Sequence, residues 1–338
     1  MKRNELTWDK PFPLERGVSL PHLTIAYHTA GKLNQNKDNV IWVCHAFTAN
    51  SDVSEWWPEM YGSGKCFDPS RYFIICANIL GSCYGTTGPL SVDPVKGKPY
   101  YSLFPSVTVR DMVNAHELLF KHLGIRKIKL VIGSSIGAFQ ALEWNIQSPE
   151  LFENMVFISA SAKTSPWAIA ISESQRMALR ADPTFREESE YAGKQGLKAA
   201  RSVALLGYRN YHTYLKTQSE NDSHKLEDYR ASSYQVYQGE KLAARFNDHS
   251  YQLMLNALDS HNVGRGRKSI EEALGIVRAN TLVVGVKSDI LFPVREQKYV
   301  AEHIPSAKYY EIDSTYGHDG FLIETDKLSA IINQNLDL

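Results

Sequence analysis

One stretch narrows the choice of fold more than any other: Lys127-Ile-Lys-Leu-Val-Ile-Gly-Ser-Ser-Ile-Gly-Ala-Phe-Gln-Ala-Leu-Glu-Trp144. A short β-type run breaks at Gly133-Ser134-Ser135-Ile136-Gly137 and continues as a helix. A G-x-S-x-G sequence between a strand and a helix describes a sharp turn that lifts its central Ser above the carboxyl edge of a parallel sheet. The small flanking residues are needed because a side chain there would strike the neighbouring elements. The pattern makes Ser135 an exposed nucleophile. The N–H of Ile136 opens the helix and faces the same spot, where the positive end of the helix dipole stabilises an oxyanion.

Such a nucleophile needs a base and an acid to orient it, and both occur downstream. Asn280-Thr-Leu-Val-Val-Gly-Val286 reads as a buried strand followed by Lys287-Ser-Asp289, with Ser288 and Asp313 as neighbouring decoys for the acid. Lys308-Tyr-Tyr-Glu-Ile-Asp313 reads as a last strand followed by Tyr316-Gly-His-Asp319. The order Ser135, Asp289, His318, with acid and base each just past a strand's carboxyl end, is that of the α/β-hydrolase fold. Asp259-Ser-His261 carries the same residue types, but neighbours on one element diverge and cannot relay a proton to each other.

The rest of the chain fits that fold class, a mostly parallel central sheet with helices on both faces and an inserted helical cap. Leu23-Thr-Ile-Ala-Tyr-His28 alternates like an antiparallel strand, whereas Asn39-Val-Ile-Trp-Val-Cys44 and Arg71-Tyr-Phe-Ile-Ile-Cys-Ala-Asn78 are apolar runs of the kind buried on both faces. The first apolar run ends at His45-Ala-Phe-Thr-Ala49, the loop that supplies the second oxyanion N–H in such folds; Phe47 is the expected donor, with Thr48 beside it. His45 reads as a structural histidine bonded to nearby backbone. The glycine-rich loop Ile79–Pro89 is either a wide turn or a wall of the site. Thr108 caps a helix carrying Met112, Val113, His116, Leu119, Phe120 and Leu123 at helical spacing, and Glu153-Asn-Met-Val-Phe-Ile-Ser159 is a further strand.

From about Ala162 to Leu274 the texture turns helical and polar, so residues 1–161 and 275–338 are expected to form the core domain and 162–274 the cap. In the helix Gly196–Arg209, Arg201, Leu205 and Tyr208 fall on one face. Arg201 there either snorkels to solvent or serves a ligand carboxylate.

Composition excludes several other tasks. Charges on the 338 residues balance to zero, which argues against nucleic acid as a partner, and the one basic cluster, Arg265-Gly-Arg-Lys268, reads as a solvated or helix-flanking turn. Gly62-Ser-Gly-Lys-Cys66 lacks both the leading Gly and the trailing Ser or Thr of a phosphate loop. The start lacks an apolar signal core and no apolar run reaches membrane-spanning length, so a soluble, cytoplasmic protein with no membrane partner is expected. The four cysteines, Cys44, Cys66, Cys76 and Cys83, have no metal-ligand spacing and lie in or beside strands, where reduced thiols are expected.

At its motifs the chain resembles the homoserine O-acetyltransferase family from roughly Leu23 to Leu322. The residues carrying the resemblance are His45–Ala49, Asn78–Pro89, Gly133–Gly137 with Gln140-Ala-Leu-Glu-Trp144, Gly196-Leu197 through Tyr208-Arg209, Asp259–Arg267, Asp289-Ile-Leu-Phe-Pro293 and Tyr316-Gly-His-Asp-Gly-Phe321. The resemblance implies a triad of Ser135, Asp289 and His318, oxyanion donors at Phe47 and Ile136, and Arg201 against the acceptor's carboxylate, with Tyr208 and Asp319 near its polar groups. It implies an acyl-CoA co-substrate, L-homoserine as acceptor, a place in methionine biosynthesis, no cofactor or metal, and a homodimer formed through the cap. The chain departs from the family pattern at Phe47, Ala49, Ile136, Ala138 and Ser172. No catalytic group is lost, but Phe47 and Ala49 line the expected acyl pocket, so acetyl and succinyl donors both stay open. A serine acceptor, a plain esterase or thioesterase, and a non-catalytic binding module are the rival readings.

Overall fold

The computed structural model describes residues Met1–Leu338. Its eight-stranded sheet is formed by β1 (Lys2–Trp8), β2 (Leu23–Ala30), β3 (Val40–Cys44), β4 (Phe73–Ala77), β5 (Ile128–Ser134), β6 (Phe152–Ile158), β7 (Asn280–Val286) and β8 (Ala307–Ile312). The spatial order is β1-β2-β4-β3-β5-β6-β7-β8. The β1–β2 and β2–β4 pairings are antiparallel and every other pairing is parallel. Two further hairpins, Phe12–Pro13 with Ser19–Leu20 and Val92–Asp93 with Lys98–Pro99, lie outside this sheet.

The central strands are continuous apolar runs because both their faces are covered. Successive residues point to opposite faces, and the buried side chains divide accordingly. Trp42, Val131, Met155, Phe157 and Val283 belong to one core, while Ile41, Val43, Leu130, Ile132, Val156 and Leu282 belong to the other. Among the helices of eight residues or more, α1 (Val109–His122) and α2 (Ile136–Gln147) supply the first core.

The next five, α3 (Pro166–Arg180), α4 (Lys194–Tyr208), α5 (Tyr211–Gln218), α6 (Arg230–Ala243) and α7 (Asp248–Asp259), lie between β6 and β7. The last two are α8 (Val294–His303) and α9 (Thr325–Asn335), and α9 supplies the second core through Leu328 and Ile332. Thr108 caps α1 in a reciprocal box with Asp111, which satisfies two N–H groups that the helix itself cannot. Ser165 and Asn247 cap α3 and α7 more simply, each accepting from one N–H in the first turn.

The five inserted helices pack on one another and on the carboxyl end of the sheet. α3 and α4 approach closely because position 196 is glycine, where a Cβ would lie 2.7 Å from the Leu179 carbonyl oxygen.

The basic turn at Arg265–Lys268 does flank a helix, Ile270–Gly275, but two of its side chains are committed rather than solvated. Arg267 and Arg110 converge on the buried Glu143 of α2, at 2.6 and 3.0 Å, and Arg265 pairs with Glu15 at 2.8 Å. Sequence periodicity gives no hint of this network, since its members come from four separate segments.

Candidate active site

Ser135 occupies the turn between β5 and α2 with φ 54° and ψ −128°, a conformation that L-residues avoid and that costs of order 1–3 kcal/mol. The surroundings leave no alternative path. A Cβ on Gly133 would lie 2.2 Å from the Gly137 carbonyl oxygen, and one on Gly137 would lie 2.1 Å from the Cys44 carbonyl oxygen. Only glycine lets the chain turn this tightly against β3. The Ser135 N–H donates to the Ile158 carbonyl at 3.0 Å, which ties the turn to β6. Ile136 is the first residue of α2, so its N–H is among those without a partner inside the helix.

Asp289 follows β7 and is almost wholly buried. Its Oδ1 accepts from the N–H groups of Leu291 and Phe292 at 2.9 and 3.0 Å, and its Oδ2 lies 2.7 Å from Nδ1 of His318. With the Asp289 carboxylate on Nδ1, that nitrogen carries the proton and Nε2 is left as the base. His318 stands in a single 3-10 turn, Gly317–Asp319, after β8. The turn is anchored by the Gly317 N–H donating to Ser288 Oγ at 2.9 Å, so the decoy Ser288 holds the histidine's loop while Asp313 only offers its carbonyl to Lys327. The rings of Phe292, Phe321 and Tyr208 lie 5.5, 5.5 and 5.7 Å from the imidazole. That burial pushes the His318 pKa down, but the charge and hydrogen bond of Asp289 and the charge of Asp319 outweigh it, and the net shift is upward.

Ser135 and His318 open into a cavity of about 540 Å³, roofed by the helical insertion. Phe47, Thr48, Arg201, Tyr208 and Asp319 all line it. The Arg201 guanidinium stands 5.4 Å from the Tyr208 ring, and burial raises the Tyr208 phenol to about 12, so its hydroxyl stays protonated.

The loop His45–Ala49, where the second oxyanion donor is expected, is built on His45. Its Nδ1 lies 2.9 Å from the Ala46 carbonyl oxygen and its Nε2 accepts the Ile79 N–H at 3.1 Å, which assigns the proton to Nδ1. Burial lowers its pKa to about 4 and keeps it neutral. His261 is likewise structural, stacked on Phe139 at 3.9 Å with Nε2 near the Ser161 carbonyl, while Asp259 pairs with Arg176.

Loop Ile79–Pro89 contributes no lining residue; it stands one layer behind, with the Tyr84 hydroxyl donating to the Thr48 carbonyl at 3.2 Å. Cys83 is only partly buried, unlike the other three cysteines, and all four are free thiols.

Several lining residues were given no role by the sequence. Arg209 brings Nε to 3.2 Å from Asp319 Oδ2. It follows the helical face of Arg201 and Tyr208 but sits at the C-cap with extended backbone, so helical spacing could not select it. Gln238 and Lys241 from α6, Arg245 just beyond α6, and Glu55 and Trp56 on the opposite wall are polar or amphipathic residues on elements with no recognisable motif. No group of three or more His, Cys, Asp or Glu side chains converges as a metal cage.

The strand order, the turn at Ser135 and the Asp289–His318 pair define the class: the chain belongs to the α/β-hydrolase fold, whose family model matches residues 39–325. Within that class it belongs to the homoserine O-acetyltransferase family. The homoserine O-acetyltransferase of Cyclobacterium marinum is 48% identical over 94% of this chain and 91% of its own length. The crystal structure of homoserine O-acetyltransferase from Bacillus anthracis superposes with a TM-score of 0.91 at 25% identity, covering 99% of this chain and 98% of that one. Esterase E22 has the same fold, with a TM-score of 0.90 at 22% identity over 99% of this chain and 100% of its own.

Proposed function

We propose that this protein transfers an acetyl group from acetyl-CoA to the hydroxyl of L-homoserine through an acyl-Ser135 intermediate. The observation that carries the reading is a cationic side chain, Arg201, in the same cavity as Ser135 and His318. A hydrolase needs no such group, whereas an amino-acid acceptor brings a carboxylate that does.

In the first half-reaction, His318 Nε2 takes the Ser135 proton as Oγ attacks the thioester carbonyl. The negative oxygen of the tetrahedral intermediate is held by the N–H groups of Phe47 and Ile136. Collapse breaks the C–S bond, and His318 returns its proton to the departing thiolate. In the second half-reaction, the homoserine hydroxyl gives its proton to the same Nε2 and attacks the acyl-serine, releasing Ser135. Arg201 takes the acceptor's carboxylate, with Tyr208 and Asp319 beside its other polar groups.

Residues 162–274 act as the cap that holds the acyl-enzyme away from water while the acceptor is aligned. Thr48 lines the acyl end beside Phe47. The chemistry needs no cofactor or metal, and because its donor is acetyl-CoA we place the reaction in the cytoplasm.

The test is to cross acetyl- and succinyl-CoA with homoserine and serine and follow free thiol. Acetyl-CoA with homoserine is expected to release thiol fastest, and far faster than acetyl-CoA alone. Equal release with and without an acceptor would make the protein a thioesterase.

The raised pKa of His318 sets a pH dependence. The base works only when neutral, so acylation is expected to fall as pH drops through a pKa raised from the ordinary imidazole value. Asp319→Asn removes one of the charges that hold the imidazolium, and the acid limb of the pH–rate profile should move to lower pH. A limb that stays in place would separate Asp319 from the base's electrostatics.

The cap also carries apolar side chains that its own helices leave uncovered, Leu206, Leu215, Val236 and Tyr237 among them, with Ile169 partly so. A homodimer joined through this surface would bury them in a twofold contact. Sedimentation at micromolar concentration should give twice the chain mass, and Leu206→Asp with Val236→Asp should give the monomer.

A further inference from the structure

We infer that Arg245 and Tyr84 form a clasp that sets the direction of the Phe47 N–H, making Arg245 a positioning residue for acylation contributed by the helical insertion. The inference rests on the reading of Phe47 as an oxyanion donor.

Residues Ala46 to Ala49 form a tight turn closed by the Ala49 N–H donating to the Ala46 carbonyl at 3.0 Å. The Thr48 carbonyl, on the other side of the same trans peptide as the Ala49 N–H, accepts from both the Arg245 guanidinium and the Tyr84 hydroxyl. Arg245 Nη1 also donates to the Tyr84 hydroxyl oxygen, which closes a three-membered ring of hydrogen bonds. In a planar trans peptide the C=O and N–H point in opposite directions, so pinning one aims the other. The clasp on the Thr48 oxygen therefore aims the Ala49 N–H at the Ala46 carbonyl. That carbonyl is also held by His45, and its own peptide carries the Phe47 N–H. The order of transmission is Arg245 and Tyr84, the Thr48–Ala49 peptide, the Ala46 carbonyl, the Phe47 N–H.

The two halves of the clasp come from different layers. Tyr84 is fixed from the sheet side, because its carbonyl accepts from Asn78 just past β4 and Asn78 also bonds to Ser51, two residues beyond the oxyanion loop, at 2.8 and 2.7 Å. Arg245 arrives from the turn between α6 and α7. The clasp on the Thr48 carbonyl is thus complete only while the insertion sits down on the sheet. An Arg in a CoA-binding cavity has an obvious competing role, as a partner for the donor's phosphates, and the two roles predict different kinetics.

The experiment measures the acylation burst of Arg245→Met, Arg245→Lys and Tyr84→Phe with two donors, acetyl-CoA and p-nitrophenyl acetate, the second of which carries no phosphate. A clasp predicts that Arg245→Met loses about ten- to a hundredfold in burst rate with both donors, with little change in the concentration needed for half-saturation. Tyr84→Phe should fall with both donors as well, by less, and Arg245→Lys should recover part of the rate because an ammonium still donates to the Thr48 oxygen. A loss confined to acetyl-CoA, or full activity of both Arg245→Met and Tyr84→Phe, would overturn the inference. A wild-type protein with no burst from either donor would remove the acyl-serine reading, and the role of Arg245 with it.

Discussion

Replacing Ser135 with Ala is expected to abolish both acyl labelling and transfer while leaving the fold intact. The hydroxyl makes no hydrogen bond that the sheet or helix depends on, and Ala can take the same backbone path as Ser. The turn's conformation is imposed by the contacts of Gly133 and Gly137 with neighbouring backbone, not by the side chain at 135. Activity should fall by several orders of magnitude, because losing a triad nucleophile leaves only the oxyanion hole and substrate binding. The check is thiol release and labelling by a fluorophosphonate, beside a thermal unfolding curve that stays close to that of the wild type. Retention of more than about a hundredth of the activity would move the nucleophile elsewhere. The same substitution at Ser134, which is fully buried in β5, should instead leave labelling in place.

The legible part of this molecule is the part in which local sequence dictates local geometry. The turn at Ser135 reads directly because only glycine satisfies the close approaches at 133 and 137. The strands at Val40–Cys44 and Asn280–Val286 read because burial on both faces demands an unbroken apolar run. Asp289 and His318 read because their loops follow such strands.

What did not read are contacts made by tertiary placement alone. Arg209 reaches Asp319 only because α4 ends there in extended backbone. Arg245 reaches Thr48 across nearly two hundred positions of sequence. Glu143 looks like a surface residue of α2 and is instead the buried centre of an arginine network. Strand β1 is an edge strand that carries Lys2, Arg3 and Glu5 and buries only Leu6, and so has no apolar run to announce it. In each case the determining partner lies on another element, and a pattern confined to one element carries no trace of it.

If Arg201 serves the acceptor alone, as proposed, its removal is expected to separate the two half-reactions. The guanidinium lies in the cavity against the Tyr208 ring, on the α4 side, and in the proposed mechanism it takes no part in the attack of Ser135 on the thioester. Arg201→Leu should therefore leave the first burst of free CoA nearly unchanged. Steady turnover should collapse, because an acceptor deprived of a hydrogen-bonded charge partner in a dehydrated site loses roughly 2–5 kcal/mol, which corresponds to about 30- to several thousandfold in affinity. Very high homoserine should restore part of the turnover, as expected for a binding defect. Mass spectrometry of the quenched protein should then show Ser135 carrying the acetyl group, since the intermediate has lost its acceptor and water reaches it slowly beneath the cap. Arg201→Lys should recover only partly, because an ammonium cannot reproduce the two parallel bonds of a guanidinium to a carboxylate. The opposite pattern, a lost burst with homoserine affinity unchanged, would place Arg201 on the donor's side of the cavity and leave the acceptor's carboxylate to another lining cation such as Arg209.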